Sequence, residues 1–130
     1  MIEKTNLKMK IEPKNNYKLI DIIKFIINSD QEYIMDNYDL YVKVGDDNVS
    51  NHLICYVSEE PIEIDDKDNE IYPKFVVNNE LEYFCSGQLL EDVVYNVQHQ
   101  LKNKNKVQDI EQFVVSLDFY LENDNFLDII

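Results

Sequence analysis

Arginine is absent from this sequence, and glycine, proline and cysteine are scarce. Its 130 residues include two glycines, three prolines and two cysteines, and its 12 strongly basic residues are all lysines. Because phosphate-binding loops need several glycines at fixed spacing, two glycines exclude the P-loop and the dinucleotide-binding fingerprint. Because arginine is the usual reader of base edges, its absence argues against direct binding of nucleic acid.

Both cysteines lie in apolar stretches of the chain. Cys55 and Cys85 therefore predict two buried free thiols in a reducing compartment, not a disulfide. Residues 1–6 contain no apolar run of the signal-peptide type. The most apolar stretch, 19–27, is interrupted by charged residues and is too short to span a bilayer. We therefore expect a cytoplasmic protein that does not associate with membranes.

No catalytic or metal-binding motif is present. His52 and His99 lie on different predicted elements, and no cysteine is spaced to form a Cys–His nucleophile pair. A cluster of hard oxygen ligands is offered by Asp65, Asp66, Asp68 and Glu70. Because Ile71 stands where an EF-hand loop would need its glycine, the calcium pattern does not fit. We expect no enzyme activity, no metal and no cofactor.

The charge is strongly negative and unevenly distributed. The chain has 26 acidic and 12 basic residues, a formal net charge of −14. Residues 1–29 carry six lysines and three acids, whereas residues 58–70 alone carry seven acids and one lysine. Such a chain repels nucleic acid and anionic membranes and attracts basic surfaces at long range. The alternative reading is that the acids serve only solubility.

Hydrophobic periodicity predicts the secondary structure. Strands are expected from two-residue alternation at 7–11 and 40–44, and further strands are expected at 52–57 and 81–85. Helices are expected at 17–28, 73–78, 89–101 and 110–121, with a further helical turn within 29–38. Ser86 and Asp109 are predicted N-caps, and the short gap between strands 40–44 and 52–57 predicts an antiparallel hairpin.

The order of these elements predicts an α+β fold. We expect one domain, 1–130, with a small antiparallel sheet of three to four strands. About three to four helices pack on one side of it, and the C-terminal third is helical. Residues 58–70 are expected to be an exposed loop or a frayed edge, and the apolar residues of 126–130 are expected to dock against the body.

The predicted hairpin brings acidic and aromatic residues close together. The acids that we nominate for a partner interface are Asp46, Asp47, Glu59, Glu60, Glu63, Asp65, Asp66, Asp68 and Glu70. Displayed together, these carboxylates would imitate a run of phosphates and suit a basic nuclease groove. Tyr56 and Tyr72 are nominated as aromatic anchors, with Tyr38 and Tyr41 nearby. In the alternative reading the tyrosines complete the core and the acids form its solvated rim.

An ordered series of motifs resembles a known family. The series comprises Tyr72-Pro73-Lys74-Phe75, Leu81-Glu82-Tyr83, the helix Leu89–Leu101 with Asn96 and Gln100, and Phe119-Tyr120-Leu121-Glu122-Asn123-Asp124-Asn125-Phe126. It resembles small acidic bacterial proteins that include immunity proteins of contact-dependent growth inhibition systems, over residues 20–127 and most clearly over 72–127. The resemblance implies a non-enzymatic intracellular inhibitor that binds a cognate toxin domain, often a nuclease, delivered by a neighbouring cell. It carries no interface residue across.

Two other functions fit the sequence less well. A phage or plasmid protein that mimics nucleic acid, of the anti-restriction or anti-CRISPR type, would use the same electrostatics against a host nuclease. A small enzyme with a carboxylate pair would need a cleft that strongly raises the pKa of its acids. The preferred hypothesis is an immunity protein that forms a 1:1 complex with a basic toxin domain.

Overall fold

The computed structural model describes residues 10–46 and 48–130. Over these residues the chain forms six strands and four helices. The strands are β1 (Asn15–Lys18), β2 (Asp39–Lys43), β3 (Ile54–Ser58), β4 (Glu63–Ile64), β5 (Glu70–Ile71) and β6 (Leu81–Ser86). The helices are α1 (Leu19–Ile27), α2 (Lys74–Asn78), α3 (Gly87–Asn103) and α4 (Ile110–Asn123). The predicted α+β class with a helical C-terminal portion is confirmed.

Four of these strands form one antiparallel sheet in the order β1-β3-β2-β6. The predicted hairpin is the β2–β3 pair, in which Tyr41 lies opposite Tyr56. The register between β2 and β6 shifts after Leu40, which pairs with Cys85, whereas Tyr41 pairs with Tyr83. This bulge increases the local twist of the edge strand β6.

Alternation along the strands gives the sheet two different apolar faces. One face carries Leu40, Val42 and Val57 into the main core, where α1, α3 and α4 cover them. The other face, called the outer face below, carries Tyr41 and Tyr56, which pack with Val76 of α2. The helices were expected on one side of the sheet. The structure corrects this, because the short helix α2 covers part of the opposite face.

The two long helices begin where their caps were predicted. The Ser86 hydroxyl accepts a hydrogen bond from the Leu89 amide at 3.0 Å, and the Asp109 carboxylate accepts one from the Glu111 amide at 3.1 Å. Each bond satisfies one of the free amides of a helix's first turn. Within residues 10–46 and 48–130, no helix has both the length and the apolar character of a membrane crossing.

The C-terminal segment docks mainly through one glutamine. The Gln100 side chain donates to the Leu127 carbonyl at 2.9 Å and accepts from the Ile129 amide at 2.8 Å. Lys104 also donates to the Ile129 carbonyl. Ile129 is buried, as predicted for this segment, whereas Ile130 is 97% exposed.

The structure differs from the predictions near the N-terminus and in the acidic segment. Of the predicted strand 7–11, residues 7–9 lie outside the described part, and Ile11 is buried without being in a strand. The first described strand, β1, occupies 15–18, where the start of a helix was expected. Its pairing with β3, 40 positions further along, overrides the local pattern. Residues 58–70, expected as an exposed loop or a frayed edge, are mostly exposed, but they are more ordered than expected because they include the antiparallel pair β4–β5.

A buried glutamate holds the loop between α1 and β2. Glu91 of α3 is 0% exposed, and its carboxylate accepts from the Met35 amide at 2.7 Å and from the Ile34 amide at 3.0 Å. The Tyr95 hydroxyl donates to the same carboxylate at 2.8 Å and accepts from the Tyr33 amide at 3.2 Å. The expected helical turn in 29–38 is instead a run of turns and bends that α3 holds in place.

The same loop passes very close to the first turn of α3. The Gly87 amide donates to the Tyr38 carbonyl at 2.7 Å. A Cβ at position 87 would collide with the Met35 carbonyl oxygen and would lie 2.8 Å from the Met35 Cβ. Glycine is therefore required here for close approach. Gly87, Glu91 and Tyr95 follow one another at helical spacing and form what we call the α3 latch.

Gly87→Ala is expected to lower the free energy of unfolding by roughly 2–3 kcal/mol, because the added methyl group overpacks a site bounded by backbone. Chemical denaturation measures the change. Gly45→Asn is the control. Gly45 has φ +96° and open space around its Cβ position, so this substitution should lower the free energy of unfolding by about 1 kcal/mol or less. Equal losses in both variants would contradict the close-approach argument.

Glu91→Gln is expected to lower the free energy of unfolding by roughly 3 kcal/mol. A glutamine side chain has one acceptor oxygen, so its NH₂ group would face one of the two backbone N–H groups that the carboxylate now accepts from. The exposed Glu122→Gln on α4 serves as control and should change stability by less than about 0.5 kcal/mol. Thermal unfolding followed by circular dichroism compares them. Retention of wild-type stability by Glu91→Gln would show that the carboxylate does not hold the loop.

Candidate functional site

The acidic segment that the sequence singled out is an ordered hairpin. Residues 59–71, called the acidic hairpin below, contain β4 and β5, with Glu63 opposite Ile71 and Ile64 opposite Glu70. The segment follows β3 of the sheet and leads through Pro73, which is buried, into α2. The hairpin therefore begins at the end of the sheet where Ser58 lies opposite Asp39.

Asp65 builds the turn of the acidic hairpin. Its carboxylate accepts from the Lys67 amide at 2.8 Å and from the Asn69 amide at 2.9 Å, and Asp68 takes a positive φ of 64°. The backbone hydrogen bonds from Asn69 and Lys67 lower the pKa of Asp65. Asp65 thus serves the fold of the hairpin, and it is less available to a partner than the sequence suggested.

The other acids of the hairpin face solvent. Exposed carboxylates are carried by Glu59, Glu60, Glu63, Asp66, Asp68 and Glu70. Lys67 is the only cationic residue within 59–71, so the hairpin carries net negative charge at high density. Asp46 is exposed at the other end of β2, and Asp47 lies outside the described residues.

A groove runs between the outer face and α2. Tyr56 is 5% exposed, and its ring stacks on that of Phe75 with 4.5 Å between centroids. The groove has a volume of about 270 Å³, and its lining includes both of these rings, Leu81 and Asp46. Tyr56, nominated as an interface anchor, therefore belongs mainly to the core beneath the groove. Phe75, which is 47% exposed, is the more accessible ring.

Three tyrosines and two carboxylates meet beside the hairpin. Tyr41 makes edge-to-face contacts with Tyr72, at 6.2 Å between centroids, and with Tyr83, at 5.7 Å. The Tyr72 hydroxyl donates to Glu70 at 2.8 Å, and the Tyr83 hydroxyl donates to Asp39 at 3.4 Å. These five residues are called the tyrosine–carboxylate cluster below. It joins β2, β6 and the hairpin into one surface.

The hydroxyl of Tyr41 is buried and finds no hydrogen-bond partner among residues 10–46 and 48–130. Burial raises its pKa strongly, and the nearby negative charges of Asp39 and Glu70 raise it further. Burial also raises the pKa of Tyr83 to about 12, with Asp39 contributing. At neutral pH the phenols are therefore protonated and remain hydrogen-bond donors.

The negative potential of the hairpin extends to its aromatic neighbours. Burial raises the pKa of Tyr38, and the charges of Glu59 and Glu12 add to the effect. Burial likewise raises the pKa of Tyr56, with Glu60 contributing. Carboxylates of the hairpin thus lie beside rings of the sheet, which combines negative charge with aromatic surface.

Sequence reasoning missed Asp39 and Tyr83 as members of the cluster. Alternation along 39–43 places Asp39 on the same face as Tyr41, and that signal was available. The position of Tyr83 depends on a distant strand pairing and on a bulge, neither of which has a local signature.

The cysteines and histidines do not come together in one site within the described residues. Cys55 and Cys85 are buried free thiols, as predicted, and burial raises the pKa of Cys55 to about 12. His52 and His99 are exposed on separate parts of the fold. In the described part of the chain, no group of three or more His, Cys, Asp or Glu side chains is arranged to hold a metal ion.

Comparison with known proteins places the chain in one family. The family model described as a domain of unknown function, DUF7716, matches residues 19–129. The match covers most of the sequence, so the chain belongs to this family. No curated protein and no solved structure matches the chain.

The acidic hairpin is expected to loosen at low pH. Because hydrogen bonds lower the folded pKa of Asp65, its stabilisation is complete above about pH 3.9, the ordinary value, and disappears as the pH falls through the folded value. NMR titration of the Lys67 and Asn69 amide shifts measures this. Asp65→Asn keeps an oxygen acceptor and should remove the titration, whereas Asp66→Asn should not. A transition above the ordinary carboxyl pKa would contradict the assignment.

Proposed function

We propose that this member of the DUF7716 family binds a basic toxin domain and neutralises it, as an immunity protein in the cytoplasm of the cell that makes it. The partner is a nuclease, and the complex is 1:1. The observation that carries the proposal is the acidic hairpin, which presents closely spaced carboxylates on an ordered strand pair beside an aromatic surface. This surface is matched to a groove that evolved to hold phosphates.

Charge density supports a protein partner that is itself basic. Six of the seven acids in the hairpin are exposed, and the segment contains one lysine. A field of this sign accelerates encounter with a cationic groove, with association rates reaching about 10⁸ M⁻¹s⁻¹ or more at low salt. The same field repels nucleic acid, so the chain competes with the nuclease's substrate without binding that substrate itself.

The aromatic rings around the hairpin supply contact area. Phe75 is 47% exposed, Tyr83 is 41% exposed, and Ile64 and Ile71 of the hairpin are 58% and 48% exposed. Interfaces concentrate their energy in such aromatic and apolar residues when these are surrounded by polar groups. Charge therefore supports fast association, and these side chains support a slow dissociation.

Reversal of charge on the hairpin is expected to break the complex. The triple variant Glu60→Lys, Glu63→Lys, Asp66→Lys changes exposed side chains that make no hydrogen bond within the described residues. It should raise the Kd for the basic nuclease domain that co-purifies with the wild-type protein at least about tenfold, and it should flatten the salt dependence of that Kd. Isothermal titration calorimetry at several salt concentrations measures both quantities.

A control variant separates location from total charge. Asp118→Lys, Glu122→Lys, Asp128→Lys makes the same change in net charge on exposed residues of α4 and the segment after it. It should bind nearly as tightly as the wild type and should still protect cells that express the toxin. If both triple variants lose affinity equally, the hairpin has no special role. If wild-type binding is independent of salt, the acidic mechanism is wrong.

A further inference from the structure

The tyrosine–carboxylate cluster contains a group that the stability of the fold does not explain. Tyr41 is 0% exposed, and no described residue forms a hydrogen bond with its hydroxyl. A buried hydroxyl without a partner destabilises a protein, and phenylalanine would fill the same space without that cost. Both edge-to-face ring contacts of Tyr41 would survive the loss of its oxygen. The hydroxyl is thus the unsatisfied part of an otherwise well-packed ring.

Within the described residues, the two carboxylates near this hydroxyl form no ion pair. Within residues 10–46 and 48–130, the side-chain partners of Asp39 and Glu70 are Tyr83 and Tyr72, both neutral phenols. Asp39 is partly buried, and desolvation raises its pKa. The charges of both acids are felt at Tyr41, so the orphan hydroxyl lies in the field of two uncompensated carboxylates.

We propose that this cluster receives the guanidinium group of an arginine side chain from the partner protein. The inference rests on the proposed function and names the contact that would anchor the basic partner. In the complex, the guanidinium donates to the carboxylates of Asp39 and Glu70 and to the Tyr41 hydroxyl oxygen. The unsatisfied atom of the free chain becomes a hydrogen-bonded atom of the complex.

A guanidinium suits this arrangement better than an ammonium does. It is planar and carries five donors in a fixed fork, so one group can serve two carboxylates and a phenol together. It also stacks on aromatic rings, and the exposed ring of Tyr83 offers such a face. A lysine ammonium is a compact, strongly hydrated charge, and it loses more hydration on entering between rings.

Access to the Tyr41 hydroxyl depends on Tyr83. This residue lies on β6, at the edge of the four-stranded sheet, and it is 41% exposed. Its bond to Asp39 is 3.4 Å long and therefore weak. An arginine can displace this bond and move the ring outward, whereas Tyr72, held by its 2.8 Å bond to Glu70, stays in place.

Tyr41→Phe is expected to change stability and binding in opposite directions. Removal of the orphan hydroxyl should raise the Tm of the free chain by a few degrees. The same change should weaken binding of a hexaarginine peptide about tenfold, since one charge-assisted hydrogen bond is lost. Differential scanning calorimetry and NMR titration in about 150 mM salt measure the two effects. Wild-type protein should bind hexaarginine more tightly than hexalysine.

Two further variants make the test specific. Asp39→Asn removes a carboxylate with little change of shape and should also weaken hexaarginine binding. Tyr120→Phe removes a hydroxyl from α4, on the opposite side of the sheet, and should leave the affinity unchanged. Equal binding of the two peptides, or an unchanged affinity in Tyr41→Phe, would overturn the inference. So would a fall in the Tm of Tyr41→Phe, because the hydroxyl would then stabilise the free chain.

The outcomes for the cluster and for the proposed function are separable. If Tyr41→Phe binds the toxin domain like the wild type while the hairpin charge reversal does not, the guanidinium site is wrong and the acidic mechanism stands. If the hairpin reversal also has no effect on toxin binding, the proposed function itself is wrong. If both variants lose affinity for the toxin domain, the guanidinium site and the proposed function are both supported.

Discussion

The buried carboxylate of Glu91 is the interaction on which the rest of the structure depends. It accepts hydrogen bonds from two backbone amides of the loop before β2, and the Tyr95 hydroxyl donates a third. That loop has no regular secondary structure to satisfy its own amides, so α3 satisfies them instead. Because β2 hydrogen-bonds to both β3 and β6, fixing the chain just before Asp39 fixes the register of the sheet centre. The α3 latch, on one side of the sheet, therefore positions the outer face on the other.

The two faces of the sheet differ in how completely other elements cover them. The core face is closed by three helices and holds residues such as Leu40 and Val57 with no exposure. Among the described residues, a five-residue helix packs on the outer face, and the paired strands of the hairpin beside it are two residues long. Charge repulsion within the hairpin opposes its own folding, and the Asp65 turn offsets part of that cost. Such a surface gains most when a cationic partner neutralises it.

The sequence was sufficient to predict features that depend on neighbouring residues, and insufficient for those that depend on distant ones. Ser86 and Asp109 predicted both helix starts, because a cap acts within one turn of its helix. β1 was missed because Asn15–Lys18 becomes a strand only through pairing with β3. Glu91 resembled any polar residue of a helix, since the two backbone amides that it accepts from lie 56 and 57 positions away. The acids of the hairpin were found from composition, but Asp65 proved structural, and the place of Tyr83 beside Tyr41 required the three-dimensional pairing of β2 with β6.

Charge alone would make a poor inhibitor, and this favours a role for fixed geometry in the proposed complex. Exposed carboxylates attract every basic protein in the cell, and their pair energies are small and screened by salt. Discrimination requires a site whose polar groups are satisfied only by the right partner, because an unpaired buried group penalises every other one. Tyr72 holds Glu70 through a short hydrogen bond and Tyr83 contacts Asp39 through a longer one, while the nearby Tyr41 hydroxyl is unpaired within the part of the chain that the structure describes. Under the proposal, the hairpin governs the rate of encounter, and the cluster beside it decides which encounters last.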